Sequence, residues 1–382
     1  MRTIYFDYNA TTPLDPAVRS AMLPFLDGIF GNPSSIHHVG RQARVLLDEA
    51  RDRVAQVWKS KPSEVVFTSG GTESNNLAVL GAARHRQDQG RHLITSSIEH
   101  HAVLHCFDYL EQKEGFEVTR LPASKEGFVD PKDLANAFRP DSTLVSIMAA
   151  NNETGTIQPV AELGRLCQER GILFHTDAVQ WFGKEPFESI DQFHADMVSV
   201  CSHKYHGPKG AGALYIRSPL LLDPILFGGA HENERRAGTE NLAGIIGFVE
   251  ATERFVRVPV FDKRHLDPLV RRLTKFLNTL TYNGLTVHTP QELSLVNTVA
   301  WTFDSCDSMT LLAALDLEGV CASSGSACSA GSLVPSHVIQ ALGAGDAAAN
   351  SLIRFSLGRE STMAEVEAVE ACLPGILRRG QQ

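Results

Sequence analysis

The cysteines of this 382-residue chain are odd in number, seven, and no two of them stand as C-x-x-C. That excludes the usual metal-finger spacing and makes a disulfide framework a poor reading. Most of the seven therefore read as small buried hydrophobes, with at most one or two left for chemistry. No apolar run approaches the roughly 18 residues of a membrane-spanning helix. The opening Met1-Arg2-Thr3-Ile4-Tyr5 has no apolar core of a signal peptide and no cleavage signature, so the expected location is the cytoplasm. Basic residues are outnumbered, 35 Lys and Arg against 44 Asp and Glu, for a formal charge of −9. A nucleic-acid surface is thus not the chain's main business. Internal repeats and low-complexity stretches are absent too. What is present is an ordinary soluble composition with length enough for two domains and a large core.

The chemistry is concentrated around Ser202-His203-Lys204. The strand-like run Met197-Val198-Ser199-Val200 delivers the chain to Lys204, a turn-rich stretch follows, and Ala213-Leu214-Tyr215-Ile216 reads as the next strand. A lysine at the end of a buried strand is costly unless it is paired or used covalently. Asp177 ends another such run, Ile172 to Thr176. In open α/β sheets ligands bind at these carboxyl-end edges. A lysine and a carboxylate converging there are what pyridoxal phosphate requires, the first for a Schiff base and the second to keep the pyridine nitrogen protonated. An anion cradle completes the set. Val65 to Thr68 is a short strand, and Ser69-Gly70-Gly71-Thr72 opens a helix running to about Arg86. Small residues let a phosphate approach the backbone N–H groups at a helix start.

The rest of the chain alternates strand and helix up to Ile216, which predicts a mainly parallel sheet wrapped by helices. An amphipathic helix is expected over 40–58, with Val45, Leu46, Ala50 and Val54 on its apolar face. A continuous strand is expected over 143–150 and a helix over 242–256. After a crossing near Val258-Pro259-Val260, the remainder reads as a smaller α+β unit, against which the N-terminal stretch packs. The expected domains are 13–258 and, together, 1–12 with 259–382.

These motifs, in this order from Tyr5 to about Gly358, resemble the cysteine desulfurases, pyridoxal-phosphate enzymes of fold type I, the aspartate-aminotransferase-like fold. The likeness is nearest to the group serving nitrogen fixation and iron–sulfur cluster assembly. It implies that Lys204 carries the cofactor, that Asp177 faces its ring nitrogen and that Gln180 bonds its phenolic oxygen. It places His100 over the ring as a stacking group and proton carrier, and Gly71, Thr72 and His203 on the phosphate. Cys201 stands where a serine or threonine is common in the family, so Ser202 or a backbone N–H is expected to compensate. Thr239 matches the threonine that reaches the phosphate of the neighbouring subunit, which implies a homodimer with shared sites. In the same loop His231 stands where glutamine is usual, and Asn233-Glu234 interrupt an Arg-Gly pair. Asn151 and Arg354 are implied as the clamp on the substrate carboxylate.

Cys328 lies in Ser323-Ser324-Gly325-Ser326-Ala327-Cys328-Ser329-Ala330-Gly331, a stretch of small residues. Such a loop has a high ordering entropy and favours exposure and movement. In the family this is the sulfur-accepting cysteine. A thiolate that attacks the substrate and then hands on a persulfide must visit two places. The resemblance thus implies conversion of L-cysteine to L-alanine with sulfur passed to Cys328, and onward to an acceptor such as an iron–sulfur scaffold. A selenocysteine lyase or an aminotransferase on the same fold is the alternative enzyme. The non-enzymatic alternative is a sulfur or cluster carrier in which Cys328 ligates iron transiently. Neither a membrane nor a nucleic acid is expected as a partner.

Overall fold

The computed structural model describes residues 3–290, 292–325 and 335–380. Cys328 lies outside the described residues. The strands in chain order are β1 (Ile4–Tyr5), β2 (Val65–Thr68), β3 (His92–Ser96), β4 (Glu117–Leu121), β5 (Ser142–Ser146), β6 (Leu173–Asp177), β7 (Met197–Cys201), β8 (Gly212–Ile216), β9 (Leu285–Val287), β10 (Thr298–Phe303), β11 (Val320–Cys321) and β12 (Ile353–Ser356).

Seven strands form the main sheet in the order β2-β8-β7-β6-β5-β3-β4. The pairs from β7 through β4 are parallel, and β8 alone runs against both its neighbours. This is the α/β arrangement of fold type I, a large, mostly parallel sheet. Both faces are buried, and adjacent residues serve opposite cores, as a period of two demands. Val65, Phe67, Ile94, Val145, Phe174, Val198 and Tyr215 face one core, with Ala43 and Leu47 of the helix His38–Trp58 and Phe248 of the helix Leu242–Phe255. Val66, Leu93, Leu144, Leu173, Met197 and Leu214 face the other, under the helices Gly71–Arg86 and His101–Glu114.

In the helix His38–Trp58 the buried face is Ala43, Leu47, Ala50 and Val54, whereas Val45 is exposed. The expected face was therefore rotated by part of a turn; the i, i+4, i+7, i+11 spacing of the observed set is the better helical match. The strand expected over 143–150 stops at Ser146. Beyond it Ile147 and Ala149 keep hydrogen-bonding to His175 and Asp177, so the apolar run stays buried while leaving the ladder.

A separate core gathers Ile4, Phe6 and Tyr8 with the helix Lys263–Thr279, β10, β12 and the helix Met363–Gly380. Parallel pairing of β1 with β11 brings the N-terminal stretch to the C-terminal part of the chain. Sheet β12-β10-β9 is antiparallel throughout. Among the described residues no helix is long and apolar enough to cross a membrane.

Candidate active site

A cleft of about 180 Å³ opens at the carboxyl ends of the parallel strands. Asp177 ends β6, and Lys204 follows β7 by one tight helical turn, Ser202–Lys204. His100 is set just beyond β3, capping the helix His101–Glu114 by accepting the Ala102 N–H on Nδ1 at 3.1 Å. Asn9 and Ala10 line the cleft from the N-terminal stretch. Of the residues singled out from sequence, Gly71, Thr72, His100, Asp177, Gln180, His203, Lys204 and Arg354 all line this one cleft.

Lys204 Nζ donates to the main-chain oxygens of Asn9 (2.7 Å) and Ala10 (2.8 Å). Asp177 is buried, and its carboxylate accepts from Asn75 Nδ2 at 2.6 Å and from the Val179 N–H at 2.9 Å. Burial pushes its pKa above the ordinary carboxylate value, against the pull of those two donors and of Lys204. Desolvation, reinforced by the Lys204 charge, pushes the His100 pKa down to about 4, so its imidazole is neutral at physiological pH. His203 is held down to about 3 by burial, followed by Lys204 and Lys209.

One end of the cleft is the start of the helix Gly71–Arg86, whose N-cap is Gly70 at φ 148°. Only glycine takes that backbone readily. A Cβ on Gly71 would stand 2.7 Å from Val179 Cγ2, so the cradle is closed to any side chain there. Cys201 lines the cleft beside it and is buried; desolvation raises its thiol to about 11. Ser202 is not among the residues that line the cleft. Its hydroxyl faces inward and bonds the carbonyls of Pro208 (2.8 Å) and Ala211 (3.2 Å), because the tight turn into β8 needs those bonds.

Arg354, on β12, is almost fully buried. Its Nη1 bonds the carbonyls of Asn152 (2.8 Å) and Gly325 (3.2 Å), and Nη2 meets Asp7 Oδ1 at 2.9 Å. Nε has no partner among the described residues. A guanidinium with a buried donor to spare beside a cleft suits a carboxylate ligand. Asn151 does not share in this. Its Nδ2 donates to Ile98 O, and its Oδ1 accepts from the N–H groups of Glu153 and Thr154, which fixes the turn behind the cleft wall. Asn152 is the one that lines the cleft. Thr239 is exposed and lies apart from the cleft, in a loop anchored by Arg236 on Glu73 (2.7 Å). In that loop Glu232 is buried and forms a two-pronged pair with Arg51, both contacts 2.7 Å.

Three contributors escaped the sequence reading. Asn75 sits one helical turn after Gly71 and holds Asp177. Asp7 orients Arg354. Lys184, four residues after Gln180, is buried and bonds Gln180 and Asn9. An asparagine inside a helix and a lysine after an apolar turn are weak signals without the fold. Among the described residues no cluster of His, Cys, Asp or Glu is arranged to hold a metal ion.

Residues 4–369 match the class-V aminotransferase family model. A cysteine desulfurase IscS of Dictyoglomus turgidum is 46% identical over 99% of this chain and 95% of its own length. Among solved structures, a NifS-like protein superposes with a TM-score of 0.88 at 37% identity, covering 100% of this chain and 98% of the other. A structure described as SspA in complex with cysteine gives a TM-score of 0.80 at 35% identity, over 94% of this chain and 100% of the other.

Proposed function

The chain belongs to the cysteine desulfurases of the class-V aminotransferase family, and we propose that its cleft binds pyridoxal phosphate and L-cysteine and passes the substrate sulfur to Cys328. The observation that carries this reading is the convergence of Lys204, Asp177 and the Gly70-Gly71 helix start on one strand edge. The donor set fits the cofactor. An amine stands at one side, a buried carboxylate with raised pKa at the other, and a side-chain-free helix N-terminus lies at the anion end. When bound, the cofactor supplies an electron sink for the substrate's Cα and Cβ.

The chain's own residues divide the remaining work. Lys204 would hold the cofactor and would carry protons to and from the substrate carbons. Asp177, held by Asn75, would favour a protonated ring nitrogen. Gln180 would offer an N–H to the phenolic oxygen. Gly71, Thr72, His203 and the Cys201 region would hold the phosphate. His100, neutral at working pH, would lie against the ring and accept a proton. Arg354 and Asn152 take the substrate carboxylate, the part first assigned to Asn151. Cys328 thiolate attacks the substrate sulfur. The carbon–sulfur bond breaks, its electron pair stays with carbon and is protonated, and the products are alanine and a Cys328 persulfide. No outside oxidant is needed.

The protein works as a cytoplasmic homodimer in which Thr239 of each subunit reaches the other's phosphate site, and it delivers sulfur to a separate acceptor such as an iron–sulfur scaffold. Residues 13–258 form the cofactor domain, and 1–12 with 259–382 the smaller one. The test is a product balance with L-cysteine and a reductant. Equal amounts of alanine and sulfide are expected. Formation of a keto acid in place of alanine would assign the site to an aminotransferase instead.

A further inference from the structure

Lys184 is buried beneath the cleft floor, 3% exposed. A buried lysine is expensive, and this one bonds two amide oxygens rather than a carboxylate. Its Nζ donates to Gln180 Oε1 and, at 2.6 Å, to Asn9 Oδ1, and it lies 5.2 Å from the centre of the Phe261 ring. Burial, then the Lys204 and Arg354 charges, lower its pKa well below the ordinary lysine value, and in either protonation state the amine has the two N–H groups that these bonds use. The atoms these N–H groups meet must therefore be acceptors, and that fixes the polarity of both amides.

For Gln180, the oxygen is held down toward Lys184 and the nitrogen is turned the other way. One N–H of that nitrogen goes to Asn9 O at 3.0 Å; the other remains for the cleft that Gln180 lines. For Asn9, Oδ1 accepts from both Lys184 and Asn297 Nδ2 (3.0 Å), while Nδ2 donates to Thr298 Oγ1 at 2.8 Å. The residue so fixed presents the main-chain oxygen on which both Gln180 Nε2 and Lys204 Nζ rest.

We infer that Lys184 is a positioning residue: by donating to both amide oxygens, it forces Gln180 to face the ring oxygen of the cofactor as a donor and holds the Asn9 carbonyl that seats Lys204. The inference rests on the pyridoxal-phosphate reading above. Without Lys184, only the Asn9 carbonyl, which accepts from Gln180 Nε2 at 3.0 Å, opposes a turn of the Gln180 amide that would bring its oxygen to the cleft. An acceptor there would oppose the ionised phenolic oxygen and favour its protonated form.

The experiment compares Lys184→Met, Gln180→Ala and the double variant with wild type, each freed of cofactor and titrated with pyridoxal phosphate. Lys184→Met should bind about tenfold more weakly, the worth of roughly one hydrogen bond. Its bound visible band should shift toward the shorter-wavelength, protonated-phenol form. In the Gln180→Ala background the same substitution should no longer shift the band, because the route through Gln180 is gone, and should cost less affinity, since only the route through Asn9 remains. The cofactor-free melting temperature is read alongside, and a modest fall is expected because methionine leaves Gln180 Oε1 without its donor. Lys184→Gln, which keeps a polar group in the pocket, should show the same shifts in smaller degree.

Wild-type affinity and spectrum in both Lys184 variants would overturn the inference, as would an undiminished effect in the Gln180→Ala background. If wild type itself takes up no pyridoxal phosphate, the function proposed above falls with it. A normal wild-type titration with unaffected variants removes only the role given to Lys184.

Discussion

Asn75 Nδ2 lies 2.6 Å from Asp177 Oδ2, joining the second turn of the helix Gly71–Arg86 to the carboxylate at the end of β6. Two parts of one ligand site, separated by 102 residues, are thereby held at a fixed spacing. Asp177→Asn keeps the shape but removes the charge, so it should retain cofactor while alanine formation falls by about a hundredfold or more. Asn75→Ala should cost about tenfold, the loss of a single hydrogen bond to a buried carboxylate. Steady-state alanine release, measured beside cofactor content, checks both.

The contact between Gly71 and Val179 predicts a rescue. An alanine methyl at Gly71 would stand 2.7 Å from Val179 Cγ2. Gly71→Ala should therefore weaken pyridoxal-phosphate binding by about tenfold or more through displacement of the cradle. Trimming the obstacle, in Gly71→Ala with Val179→Ala, should recover most of that loss. The readout is equilibrium titration of cofactor. A double variant no better than the single one would show that the contact with Val179 is not what weakens binding.

Glu99 supplies the pH prediction. It is fully buried, accepts from Ser96 Oγ (2.5 Å) and the Met148 N–H (2.9 Å), and has one oxygen without a partner. Desolvation raises its pKa to about 8. The folded state therefore keeps a proton that the unfolded state gives up above its ordinary value near 4.5. Folding stability from this group is full below that value and is lost as the pH rises toward 8. Glu99→Gln cannot ionise. Its unfolding free energy relative to wild type, measured by denaturant titration, should climb from pH 5 to pH 8 by on the order of 3 kcal/mol. A constant difference across that range would contradict the assignment.

The sequence made the chemistry more legible than its support. Lys204, Asp177 and the Gly-Gly-Thr cradle announce themselves because each is an unusual residue at a strand or helix end, and strand ends follow from apolar runs. Their convergence then follows from parallel topology alone. Asn151 and Asn152 were beyond that logic. Neighbours on a turn point in opposite directions, and which one enters the cleft depends on Ile98 and Thr154, remote or non-periodic contacts that only the fold supplies. Ser202 failed in the same way, since the carbonyls of Pro208 and Ala211 claim its hydroxyl. Asn75, Asp7 and Lys184 act through other side chains, and such roles leave no pattern along the chain.

The measurement that tests the central claim most directly is alanine and sulfide release from L-cysteine with a reductant, for wild type and Cys328→Ala. Wild type should release both in equal amounts. Cys328→Ala should keep the visible absorbance of bound cofactor and release neither. A Cys328→Ala protein as active as wild type would mean that sulfur leaves without this thiol, and a lyase would replace the desulfurase reading of the site.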